Sequence, residues 1–127
     1  MKKLRATLCL ALVIVGMFST SALATQAYNF SFTFTGSGVK YLDEILKATN
    51  NTYAAVEVTQ SSYTYKYAVA TNKASSYVTN WKSITGKTSR AQKLPYTINM
   101  STSYKVRLHC SSTSSNGTST TRGTWTP

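Results

Sequence analysis

Apolar and polar positions alternate along most of this chain, and the alternation has period two. Tyr28-Asn29-Phe30-Ser31-Phe32-Thr33-Phe34-Thr35 is the clearest case, with four aromatics separated by polar residues. That is the pattern of a strand buried on one side, and Gly36-Ser37-Gly38 ends it with turn chemistry. Tyr53 to Thr59 turns Ala54, Val56 and Val58 one way, and Tyr63 to Ala70 lines up Tyr63, Tyr65 and Tyr67. With only Gln60-Ser61-Ser62 between them, these two segments are expected to pair as a hairpin. Tyr104 to Cys110 puts Tyr104, Val106, Leu108 and Cys110 on one face and Lys105, Arg107 and His109 on the other. Weaker strands are expected around 76–84 and 94–100, the second beginning at Pro95 or lying on a sheet edge. A loop rich in Ser, Thr, Asn and Gly follows from Ser111, and Thr120 to Thr126 returns as the last strand, closing with Trp125. Val39 to Lys47 breaks the alternation. Its Val39, Leu42 and Leu46 fit a short helix or an irregular crossover, with Asp43 and Glu44 inside it.

About seven short strands at near-regular spacing predict an all-β chain, an antiparallel β-sandwich with a small β-barrel as the alternative. The first residues follow a different pattern. Lys2, Lys3 and Arg5 precede an uncharged apolar run from Leu8 to Phe18, and Ala22-Leu23-Ala24 follows a short polar step. A basic end, a short apolar middle and an A-x-A site predict a cleavable signal peptide over 1–24, with one domain over 25–127. The run is too short for a membrane span, which takes about 20 apolar residues. Thr25 stands where a lipoprotein needs Cys, and Leu94-Pro95-Tyr96-Thr97 lacks the Gly of a sorting signal, because Ile98 follows. The expected fate is secretion, with the product released or held non-covalently on the cell surface.

Composition sharpens this. The chain has 127 residues and a formal net charge of +11, which falls to +8 without the three cations of the leader. After Glu57 there are nine cations and no acid. Such an excess attracts polyanions, which outside a walled cell means anionic cell-wall polymers or a membrane surface. No specific nucleic-acid partner is expected, although non-specific DNA binding at low salt follows from the charge. Four Asn-x-Ser/Thr sequons, at Asn29, Asn50, Asn99 and Asn116, arise from the Ser/Thr content of the chain.

The same composition removes most enzyme classes. Three acids and one His leave little for a two-carboxylate glycosidase or a calcium cage, and one His with two Cys is too few for a conventional zinc site. Neighbours on a strand point to opposite faces, so His109 and Cys110 diverge and make no thiol–imidazole pair. No G-x-S-x-G, P-loop or H-E-x-x-H motif is present. The reading is non-enzymatic, with no cofactor or metal. Cys110, the one thiol left after cleavage, is expected to be buried. Lys66, Lys105, Arg107 and Arg122 are the candidate anion-binding residues. Tyr63, Tyr65, Tyr67 and Trp81 are the candidate aromatic contacts. Exposed, the Tyr row is a platform for sugar rings or peptide; buried, it is core.

Several of these segments together carry a resemblance: the Lys2-Lys3-Leu4-Arg5 opening, the aromatic strand Tyr28–Phe34, and the element from Lys47-Ala48-Thr49 to Val58. To these are added Tyr104-Lys105-Val106-Arg107-Leu108 and, past the Ser/Asn-rich loop, Arg122-Gly123-Thr124-Trp125. The layout resembles a family of small secreted proteins of Gram-positive bacteria and, more distantly, the lactococcin-972-like bacteriocins. The bacteriocins are shorter and richer in Gly. The resemblance implies a secreted β-sandwich and, as the alternative function, antibacterial action; it carries over no catalytic residue. The expectation from the residues themselves is a secreted cationic protein that binds anionic envelope or extracellular surfaces.

Overall fold

A computed structural model describes residues 26–47, 49–71, 77–102, 104–114 and 117–127. The expected leader over 1–24 lies outside the described residues. The described residues form strands and no helix: β1 Tyr28–Thr35, β2 Gly38–Tyr41, β3 Ile45–Leu46, β4 Tyr53–Ser61, β5 Thr64–Thr71, β6 Lys82–Thr85, β7 Gln92–Pro95, β8 Lys105–Ser112 and β9 Thr118–Thr126. They sort into two antiparallel sheets that pack in a sandwich-like arrangement. The first has the order β1-β9-β4-β7 and the second β2-β8-β5-β6, with β3 also on β8.

Period-two sequence becomes one-sided burial. Phe30, Phe32 and Phe34 of β1 turn inward, as do Val106, Leu108 and Cys110 of β8, while Asn29, Ser31 and Thr33 stay exposed. Rings from the two layers meet in the middle, Phe30 on Tyr67 and Phe34 on Tyr65, each at 5.7 Å between centroids. Burying one such ring contributes about 1.5–3 kcal/mol. The Tyr67 hydroxyl also lies 2.6 Å from that of Thr121, so a buried hydrogen bond joins β5 of one sheet to β9 of the other. Trp125, on the last strand, is buried in the core. Cys110 is fully buried, and burial pushes its thiol up to about 12.

Two expectations need correction. Tyr53–Thr59 and Tyr63–Ala70 do not form a hairpin: β4 lies in the first sheet between β9 and β7, and β5 lies in the second between β8 and β6. The short connection between them crosses from layer to layer. Val39–Lys47 is not a helix. β2 pairs with β8 from Gly38↔Ser112 to Tyr41↔His109, and β3 resumes on the same strand at Ile45↔Val106. The chain bulges between them, where the Leu42 amide still donates to the Leu108 carbonyl at 3.0 Å. An interrupted edge strand of this kind resists pairing with another chain. No helix among the described residues is long and apolar enough to cross a membrane.

β4 and β9 approach unusually closely. Their register shifts between Val58 and Gln60, which marks a bulge. Gly123 sits opposite, where an added Cβ would collide with the Glu57 carbonyl and lie 2.9 Å from Phe30 Cζ. The Phe30 ring occupies the space a side chain there would take.

Candidate functional site

The outer face of the second sheet gathers an aromatic and cationic cluster. Alternation along β8 turns Lys105, Arg107, His109 and Ser111 outward, and the pairing fixes their neighbours: Tyr41 and Ala68 flank His109, and Ala70 flanks Arg107. The two alanines leave room above β5. Tyr77 fills part of it, anchored by a backbone bridge to Ala70, and the Val78 amide donates to the Val69 carbonyl at 2.9 Å. Trp81 follows directly before β6.

Four rings then run across the face in steps of nearly equal length. Tyr41 stacks on His109 at 5.1 Å, His109 meets Tyr77 edge-on at 5.1 Å, and Tyr77 meets Trp81 at 5.0 Å. The imidazole is buried beneath this row, whereas Tyr41, Tyr77 and Trp81 are 57%, 40% and 36% exposed. Arg107 is held at one end by an ion pair with Glu44, and its guanidinium lies 4.8 Å from the centre of the Tyr41 ring. His109 Nδ1 lies 3.4 Å from the Tyr77 hydroxyl. Its Nε2, like Arg107 Nε, is buried without a partner. Burial, and secondarily the Arg107 charge, holds the imidazole below its ordinary pKa of 6.5, so at neutral pH it is uncharged. Among the described residues no group of three His, Cys, Asp or Glu is placed to hold a metal ion.

A second cationic feature lies on one lateral edge of the sandwich. β6 and β7 are edge strands of opposite sheets, and the loop joining them brings Lys82, Arg90 and Lys93 around a depression of about 430 Å³, lined also by Ala91 and Gln92. The Lys82 amine crosses the seam to donate to the Lys93 carbonyl at 3.2 Å. The Lys93 amine lies 4.5 Å from the centre of the Tyr53 ring. Among the described residues no carboxylate lines this depression.

The residues singled out from sequence divide accordingly. Lys66 and Lys105 are exposed on the outer face of the second sheet, Trp81 is a member of the aromatic row, and Arg107 lies beside it. Arg122 is exposed on the first sheet, 3.5 Å from the Gln60 amide oxygen, and belongs to no cluster with them. Tyr65 and Tyr67 are corrected to core: both are fully buried and touch no solvent. Tyr63 precedes β5 and is exposed, outside the strand that carries the other two. Sequence reasoning missed Tyr41 and Tyr77, and it did not group Lys82, Arg90 and Lys93. The comparisons find no match to this chain among protein-family models, curated proteins or solved structures.

Proposed function

We propose that this is a secreted, cationic, non-enzymatic protein that binds anionic polymers of a cell envelope or another extracellular surface. The observation that carries the reading is the imbalance of charge on the folded chain. Among the described residues ten Lys and Arg face three carboxylates, and one ion pair, Arg107–Glu44, is formed. Lys66, Lys87, Arg90, Lys93, Lys105 and Arg122 all stand exposed. Unpaired surface cations in this number raise the local concentration of polyanions and release their counterions on contact. The Lys82–Arg90–Lys93 depression supplies a place where three of the cations act on one phosphate or carboxylate.

Retention on purified Gram-positive cell walls and on immobilised inorganic polyphosphate tests this. Retention is expected at low salt and is expected to fall steeply as salt is raised, because screening shortens the reach of exposed charges. Retention that does not change between low and high salt removes the electrostatic basis of the reading.

A further inference from the structure

We propose that the outer face of the second sheet is a glycan subsite, on which the sugar rings of an anionic glycan pack across Tyr41, Tyr77 and Trp81 while its acid groups meet Lys66 and Lys105. This rests on the anionic-polymer reading above and names the chemical class of the polymer. Single exposed hydrophobic residues on a surface are ordinary, but a contiguous patch marks an interaction site. Here three exposed rings and a buried fourth are joined at 5.0–5.1 Å, whereas Tyr63 and Tyr104 are exposed outside this row and Phe30, Phe32, Phe34, Tyr65, Tyr67 and Trp125 are in the core.

The row is built before any ligand arrives. Tyr41 is held by the His109 ring and the Arg107 guanidinium, and Tyr77 by its backbone bridge to Ala70, so little side-chain freedom is lost on binding. Its floor is polar. His109 Nε2 and Arg107 Nε lie buried beneath the rings. Ring orientation separates glycans from single-stranded nucleic acid. Neighbouring rings are inclined at 29°, 79° and 55°, a stepped surface rather than a set of parallel slots for flat bases. Sugars present C–H faces and hydroxyl rims at varied angles. The cations frame the row on the same sheet face: Lys66 lies two residues before Ala68 on β5, and Lys105 two before Arg107 on β8.

The test uses Trp81 as its own reporter, since Trp125 is buried in the core. Three probes are titrated at low salt: a hyaluronan octasaccharide, which carries rings and carboxylates; inorganic polyphosphate, which carries charge without rings; and oligo(dT). Hyaluronan is expected to shift Trp81 emission and to shield it from acrylamide, and polyphosphate to bind without either effect. Tyr41→Ala is expected to weaken hyaluronan binding on the order of tenfold and to leave polyphosphate binding unchanged, whereas Tyr41→Phe keeps the ring and the affinity. Hyaluronan affinity unaffected by Tyr41→Ala, or equal shielding of Trp81 by polyphosphate, overturns the glycan subsite while the charge reading stands. Tighter Tyr41-dependent binding of oligo(dT) than of hyaluronan overturns it in favour of bases. Absence of polyphosphate binding defeats the charge reading itself and, with it, the anionic-glycan subsite that rests on it.

Discussion

His109 shows how one residue ties the chemistry of the face to the stability of the fold. It lies beneath a single layer of rings, and burial first, the Arg107 charge second, lower its pKa from 6.5. The unfolded chain therefore takes up a proton at a higher pH than the folded one. Stability from this group is fully present above about pH 6.5 and declines as the pH falls from there toward the lowered folded value, by at most about 1.4 kcal/mol per pH unit. Thermal unfolding followed between pH 8 and pH 5 is expected to show a flat upper range and a decline below 6.5, and His109→Gln is expected to flatten that first decline. An identical pH profile in the variant shows that His109 is not the group responsible. Cys110, its neighbour, faces the other way, into the core, as the strand pattern alone requires.

At the level of strands, the tightest constraint is the contact of β9 with β4 at Gly123. A Cβ there has no room against the Glu57 carbonyl and the Phe30 ring, and both obstacles are held by paired strands. Gly123→Ala is expected to cost about 2–3 kcal/mol, read as a lower urea midpoint with the slope of the transition unchanged; an unaltered midpoint shows that the strands can separate freely at the bulge. The strands buried on one side were legible because burial writes period two into the sequence, as in β1, β4 and β9. β2 was not, since all four of its residues are exposed and an edge strand with no buried face leaves no alternation to read. The alternation of β4 and β5 shows that each belongs to a sheet but not to which one, so their separation into two layers was invisible. Tyr41 was missed for the same reason, because its place beside His109 comes from a pairing between residues 68 positions apart. Trp81 could be named from sequence alone, but its partner Tyr77 is placed by a backbone bridge to Ala70 that the sequence does not announce.

Across the whole molecule, the net charge was plain in the sequence, while its distribution is a product of topology. Lys82, Arg90 and Lys93 converge because β6 and β7 are edge strands of opposite sheets on the same flank. Arg122 is exposed on the outer face of the first sheet, which also carries Glu57. Replacing Arg90 or Arg122 by Glu changes the net charge equally, so any difference between the variants reports local arrangement rather than total charge. At 0.15 M salt a charge acts over about 8 Å and at 0.01 M over about 30 Å. At the higher salt, a phosphate in the depression feels chiefly the cations that line it rather than Arg122, which lies on β9, beyond β4 from β7. Arg90→Glu is therefore expected to weaken polyphosphate binding several-fold more than Arg122→Glu at 0.15 M, on the order of a tenfold loss against a twofold one. At 0.01 M the two losses are expected to converge, because the field of the whole chain then reaches the ligand from either position. Equal losses at both salt concentrations indicate a diffuse cationic surface, on which the depression between β6 and β7 has no privileged part.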